Sequence, residues 1–244
     1  MQIDKELCIG CEECQPYCPV GAISSVEWEG NSVSEIDQDA CVECGVCLQR
    51  ARICPTDAIF MPELAWPRSV REPFSNPHIR HPSTDEQGRG TGEMKTNDVT
   101  GRFPTGVAGV AVEMGRPGVS ASFRDIQIMA AALAGAGVEF EPENPVTALM
   151  ADRETGLLRP EILDERVLSA IIEFRVDLPE LERVLRVIRE AAPRINTVFS
   201  LDLISRFNPE GGIPTAPVAA SAGFTIRPNA KINLGLGRPR AKEI

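Results

Sequence analysis

No cysteine follows residue 54 of this chain. All eight lie between Cys8 and Cys54, and the remaining 190 of 244 residues hold none. A disulfide framework would be spread over the fold it staples and would need an oxidising compartment, so this confinement points to thiolate ligation in a reducing cytosol. Basic residues are also in deficit, 25 Lys and Arg against 35 Asp and Glu, for a net charge of −10. That balance argues against a nucleic-acid or anionic-membrane surface and for basic protein partners. The opening MQIDKEL lacks the basic start and apolar run of a signal peptide. The longest weakly polar run, IMAAALAGAGV (128–138), is too short for a bilayer. These absences predict a cytoplasmic protein with no membrane insertion. Aromatics are scarce at 5%, Gly and Pro number 20 each, and 43% hydrophobic content suffices for one large domain or a small one plus a medium one.

What the N-terminal quarter does contain is a repeat. Residues 3–23, IDKELCIGCEECQPYCPVGAI, align with residues 36–59, IDQDACVECGVCLQRARICPTDAI. Both copies open Ile-Asp, continue C-x₂-C-x₂-C, and close on Cys-Pro, two residues, then Ala-Ile. The front halves match at an offset of 33 and the back halves at 36, so the second copy carries three extra residues between Cys47 and Cys54. Three cysteines at i, i+3 and i+6 suit a loop that wraps three iron corners of one cubane, leaving the fourth iron to a ligand from elsewhere. Structural zinc prefers two separated C-x₂-C pairs. A single intact cluster beside a degraded second site is the other alternative.

Over residues 1–61 the sequence resembles the two-cluster bacterial ferredoxins, in which the Cys-Pro cysteine of each copy reaches the other copy's cluster. Carried over position by position, the resemblance implies that Cys8, Cys11, Cys14 and Cys54 hold one [4Fe–4S] cluster. Cys41, Cys44, Cys47 and Cys18 hold the other, with Pro19 and Pro55 after the crossing cysteines. Between the copies, AISSVEWEGNSVSEI reads as a hairpin turning at Glu29–Asn31, with Trp28 near its tip as a packing or partner contact. Residues 1–61 hold eleven acidic residues and only Lys5, Arg50 and Arg52 as basic ones, a net charge of −8. The acidity either keeps the domain soluble or steers an electron carrier onto basic patches of a partner. Arg50 and Arg52 lie in the inserted LQRARI segment, where a positive charge near a cluster would raise its potential or simply point into water.

After Met61, prolines at 62, 67, 73, 77 and 82 and glycines at 88, 90 and 92 predict a Pro/Gly-rich extended arm over 62–104, without helix or central strand. GRGTG (88–92) lacks the strand and Lys-Ser/Thr of a phosphate loop. HIRH (His78, His81) reads as a solvated loop, not a metal site. EMKTNDVTGRF (93–103) is a candidate docking or ligand-binding loop.

Ordered structure resumes over 105–205. GVAGVAVEM (106–114) reads as a buried strand, and residues 122–137 as a helix capped by Ser122 and Asp125 and ended by Gly135 and Gly137. VTALMA (146–151) reads as a strand. So does VLSAIIEFRV (167–176), with Leu168, Ala170, Ile172, Phe174 and Val176 on one face. Residues 178–192 form a helix capped by Asp177, with a stripe of Leu178, Leu181, Val184, Leu185 and Ile188. INTVFSLDLI (195–204) returns as a strand. The order β-α-β-β-α-β predicts an α+β fold, a four-stranded sheet with both helices on one face. This ferredoxin-like sandwich is similar in topology to regulatory modules of the ACT and NIL type. It carries no evident catalytic set; Asp152, Glu154 and Asp164 read as solvated. The tail 206–244 is basic at its end, where Arg227, Lys231, Arg238, Arg240 and Lys242 face a single acid, Glu243, and would fold back on the acidic module, grip a partner or stay disordered.

These features predict an iron–sulfur electron-transfer protein, a subunit that docks through its C-terminal domain onto an oxidoreductase in an anaerobe. The alternatives are an electron-input subunit of a reductase whose C-terminal domain binds substrate or flavin, and a ligand-gated ferredoxin.

Overall fold

The structure, a computed structural model, describes residues 1–50, 53–88, 101–116 and 118–226, the side chain of Arg50 apart. In residues 1–61 the repeat folds crosswise. Strand β1 (Gln2–Ile3) pairs antiparallel with β4 (Ile59–Phe60), while β2 (Ile23–Trp28) pairs with β3 (Asn31–Ile36). Ile3 opposes Ile59 and Ile23 opposes Ile36. The opening Ile of each copy is therefore matched with the closing Ile of the other. The hydrogen bonds beyond the strands repeat the pattern: the amide of Asp4 donates to the Ala58 carbonyl and that of Asp37 to the Ala22 carbonyl, each at 2.8 Å. Met1, Ala22, Ile23, Ile36 and Ile59 form a small core with Cys14, Cys41 and Cys47. So small a core buries too little apolar area to hold a fold unaided, which is why such modules depend on metal ligation.

The three extra residues of the second copy leave a local signature. In the first copy a single 3₁₀ turn (Gln15–Tyr17) joins Cys14 to Cys18, whereas in the second a wider π-helical turn, Val46–Arg50, contains Cys47.

The stretch after Met61 departs from the extended arm expected. A 3₁₀ turn, Arg68–Val70, runs into α1 (Arg71–Ser75). Pro73 is tolerated there because the first amides of a helix have no intrahelical partner to lose. Val70 and Phe74 are buried in the main core, and the Phe74 ring meets Phe123 edge-on at 5.6 Å. Arg159 stacks over Trp66, 6.0 Å from the ring centre.

That main core lies in the C-terminal part, where the chain runs β5 (Val107–Met114), β6 (Ala121–Ser122), α2 (Phe123–Gly135), β7 (Glu139–Phe140), α3 (Pro145–Ala148), β8 (Met150–Asp152), β9 (Leu157–Leu158), β10 (Arg166–Val167), β11 (Ala170–Asp177), α4 (Leu178–Ala191), β12 (Phe199–Ser205) and α5 (Thr215–Ser221). The main sheet has the order β12-β5-β11-β7, every neighbour antiparallel. β6 pairs with β10 and β8 with β9 as separate ribbons. Alternate residues of β5 and β11 (Val110, Val112, Ile172, Phe174) meet α2 and α4 in one core. The predicted capping box of α2 is present, Ser122 Oγ accepting from the Asp125 amide at 3.1 Å. On α4, Leu181, Val184, Leu185 and Ile188 are fully buried, each stabilising by about 1.5–3 kcal/mol.

Two expectations need correction. VTALMA is not a strand of the main sheet: residues 145–148 form a helical turn capped by Asn144, whose Oδ1 accepts from Val146 N at 2.8 Å, and the second strand is the short β7. The Asn-Pro pair starts a helix, and the apolar run after it is equally compatible with either structure. Asp177 occupies the N-cap position of α4, but its side chain makes no capping bond. The Phe103 ring lies over Gly109 so closely that a Cβ there would come within 2.6 Å of it.

Candidate functional site

The crosswise pairing brings together cysteines that are distant in sequence. One cavity is lined by Cys8, Cys11, Cys14 and Cys54, with Ile3, Ser34 and Ile59. A second is lined by Cys18, Cys41, Cys44 and Cys47, with Met1, Ile23 and Ile36. Each takes three thiols from one copy of the repeat and the Cys-Pro thiol from the other. Their atom-free spaces, about 320 and 310 Å³ with the mouths included, are nearly equal, so the longer loop of the second copy does not enlarge its site.

Local backbone geometry sets the thiols around these spaces. In each copy the second residue after the first cysteine is left-handed, Gly10 at φ +66° and Glu43 at +56°. So is the fourth, Glu12 at +62° and Gly45 at +70°, and so is the third residue after the crossing cysteine, Gly21 at +65° and Asp57 at +53°. Such turns curl the loop so that its amides face inward. The Ala22 amide donates to Cys18 Sγ at 3.1 Å and the Ala58 amide to Cys54 Sγ at 3.2 Å, an equivalent pair. Ser34 N adds a bond to Cys8 Sγ at 3.4 Å. Glycine is required at position 10, where a Cβ would lie 2.1 Å from the Ser32 carbonyl oxygen.

Electrostatics at the sulfurs follow from burial. Desolvation pushes the thiols of Cys14, Cys41 and Cys44 above their ordinary range and that of Cys47 up to about 12, with neighbouring thiols adding to the last. Cys54 goes the other way. Burial raises it, but the Thr56 hydroxyl and the amides of Thr56, Ala58 and Ile59 together outweigh that. Buried thiols of this kind give up their protons to a metal centre, so loading releases protons. Eight sulfurs in two sets of four, with amides aimed at them, fit a pair of iron–sulfur cubanes.

The two sites differ in surroundings. At the first, Cys11 is exposed, and Leu7 and Ile9 are 49% and 64% exposed beside exposed Glu6, Glu12 and Glu13. At the second, Cys41 and Cys47 are buried. Glu43, fully buried, pairs with the Met1 amino group and with Arg68, whose Nε reaches Glu43 Oε1 at 2.9 Å. Arg71, 4% exposed, donates from Nη1 to the carbonyls of Gln38 (2.9 Å) and Cys41 (2.6 Å), and its Nε pairs with Glu165. The sequence reading missed Glu43, Arg68 and Arg71. Glu43 has a faint signal, a charged residue where the other copy has glycine; the arginines have none, since their partners lie about 25 to 94 residues away.

The 4Fe-4S dicluster domain model matches residues 1–61. Ferredoxin-2 of Chlorobaculum tepidum is 38% identical over 58 residues, covering 21% of this chain and 82% of that protein. Through residues 1–61 the chain belongs to the two-cluster ferredoxin family. This ferredoxin segment carries two [4Fe–4S] clusters and is an electron-transfer module. Pyruvate synthase subunit PorD of Methanocaldococcus jannaschii is 40% identical over 57 residues, 23% of this chain and 59% of that protein. A subunit of an ion-translocating oxidoreductase complex of Methanosarcina acetivorans is 46% identical over 52 residues, 21% of this chain and 17% of that protein. The chain thus spans about three-fifths or less of these two relatives. No solved structure matches it.

Among the other sequence candidates, His78 is exposed, but His81 is not solvated as expected. It is 6% exposed, edge-on to Phe74 at 4.8 Å, with Nδ1 accepting from Ser83 N at 3.3 Å. Asp152, Glu154 and Asp164 are exposed or surface-paired, Asp164 with Arg124 at 2.6 Å. Arg52, the Arg50 side chain, most of 88–100 and the basic tail from Arg227 lie outside the described residues. Among the described residues, no helix is long and apolar enough to cross a membrane.

Proposed function

We propose that the chain relays single electrons through its two clusters to or from a partner oxidoreductase, as a subunit of a complex in the cytoplasm of an anaerobe. The observation that carries this reading is the sorting of the eight cysteines into two cavities of nearly equal size, each drawing three thiols from one repeat copy and one from the other. When bound, each [4Fe–4S] cluster supplies one-electron chemistry at iron that is fully ligated, which suits relay better than bond making. The protein holds the thiolates, aims amides at them and buries Cys41 and Cys47 of the second site.

The first site is the port we assign to the partner. Exposed Cys11 lies among Leu7, Ile9 and the carboxylates of Glu6, Glu12 and Glu13, an apolar contact with an acidic rim. A basic surface on the oxidoreductase complements it and speeds encounter. The C-terminal β-α-β-β-α-β domain, proposed as the docking or ligand-binding unit, lies beyond the second site, to which Arg71 and Glu165 connect it. The relatives' names include oxidoreductase-complex and pyruvate synthase subunits, which supports a complex of this general kind.

Anaerobic isolation from native cells tests the reading. The expected result is co-purification with an oxidoreductase whose turnover reduces the clusters in the complex. A chain that elutes alone and whose clusters no co-isolated protein reduces would contradict it.

A further inference from the structure

Resting on the two-cluster reading, we propose that Arg71 sets the redox potential of the site built on Cys18, Cys41, Cys44 and Cys47, and that Glu165 makes this potential answer to the C-terminal part of the chain. Arg71 stands between two halves of the molecule. Its Nη1 is bound by the carbonyls of Gln38, Asp39 and Cys41 at 2.9, 3.4 and 2.6 Å, the last being the carbonyl of a cluster thiol's own residue. Its Nε pairs with Glu165, 94 residues away in sequence and 12% exposed. Both ends of the guanidinium are thus committed. Carbonyls bring partial charge only, so Glu165 is its full anionic counterweight among these contacts.

The charge balance beside the site can be read off its contacts. Arg68 and the Met1 amino group share Glu43, and Arg71 shares Glu165. Glu72 acts electrostatically on both Glu43 and the Met1 amino group as well, so three cations face three anions, and losing either member of the Arg71–Glu165 pair unbalances them where burial weakens dielectric screening. Reduction adds an electron to an already anionic cluster, so a nearby fixed cation favours the reduced state and raises the potential. Burial alone works in the opposite direction, disfavouring the more highly charged reduced form. The two causes are separable, because only the charge mechanism predicts opposite shifts on removing Arg71 and on neutralising Glu165. Glu165 adjoins the start of α2, where its carbonyl accepts from Phe123 N at 3.0 Å. Any shift of α2 would therefore alter the counter-ion of Arg71, and through it the cluster.

The test is redox potentiometry of the anaerobically reconstituted full chain, read by electron paramagnetic resonance with iron analysis on each variant. In Arg71→Gln one of two midpoints should fall while the other holds; Arg71→Lys should keep that midpoint closer to wild type. Glu165→Gln should raise the same midpoint. Unchanged midpoints in fully loaded Arg71→Gln would overturn the proposal, as would a fall in Glu165→Gln, which would signal disturbed packing. If Arg71→Gln does not assemble, the direction of the Glu165→Gln shift decides alone: upward supports, downward or none overturns. A wild-type iron content near half that of two cubanes would instead count against the two-cluster reading.

Discussion

Ile3 opposes Ile59 across one antiparallel pair, and Ile23 opposes Ile36 across the other. Since each pair joins the start of one repeat copy to the end of its twin, the Cys-Pro cysteine of each copy is delivered to its twin's loop. The crossed thiol sets are thus a consequence of strand register, and the three added residues fall between Cys47 and Cys54, outside the paired strands.

Replacing Gly10 with Ala should damage the first site selectively. The new Cβ would meet the Ser32 carbonyl at 2.1 Å in a left-handed conformation, which by itself costs about 1–2 kcal/mol. Iron analysis should show loss from one site, with the other site's resonance signal retained. Full loading with both signals intact would contradict the close approach.

Glu43→Ala should destabilise the loaded protein by about 3–5 kcal/mol, the usual cost of stripping one partner from a buried ion pair. Glu43 is fully buried between Arg68 and the Met1 amino group. Anaerobic guanidinium unfolding followed at the cluster absorbance measures it; a change under about 1 kcal/mol would place the carboxylate's role elsewhere.

Phe74→Ala should cost about 3–5 kcal/mol, because the ring is 1% exposed in the main core against Phe123. Cluster absorbance at room temperature should survive, so the loss would be read in thermal unfolding by circular dichroism.

His81 gives a pH dependence. Burial depresses its pKa from 6.5 to about 4, so the fold favours the neutral ring. Its contribution is present above about pH 6.5 and is lost as pH falls through that value toward 4. Between pH 8 and pH 5 the native state should lose about 2 kcal/mol that His81→Phe does not lose. Equal slopes in the two proteins would rule out this histidine as the cause.

Much of this was legible before any coordinates, for reasons that differ by region. The repeat carries its own register, so Cys18 and Cys54 could be assigned to opposite loops from the Cys-Pro-x₂-Ala-Ile context and the family resemblance. The stripe of α4 and the Ser122–Asp125 box are local patterns that a sequence displays directly. Misreadings arose where distant contacts decide. Proline spacing hid α1, because Pro73 falls in a first turn that tolerates it, and Phe74 gains its place from distant partners such as Phe123, 49 residues on. Arg50 and Arg52 are the charges that sequence proximity offers near Cys47 and Cys54, and Arg52 and the Arg50 side chain lie outside the described residues. Arg68 and Arg71 are brought beside the second site by the fold, which no local pattern displays.

The crossed assignment of the eight cysteines is the centre of the account. Single Cys→Ser variants at positions 11, 54, 18 and 44, reconstituted anaerobically and examined by electron paramagnetic resonance with iron counting, test it most directly. The account predicts about eight irons in wild type and two classes of variant, Cys11 with Cys54 and Cys18 with Cys44, each class altering a different cluster's signal. If Cys54→Ser altered the same signal as Cys44→Ser, or Cys18→Ser the same as Cys11→Ser, the ligands would not cross and the account would be wrong.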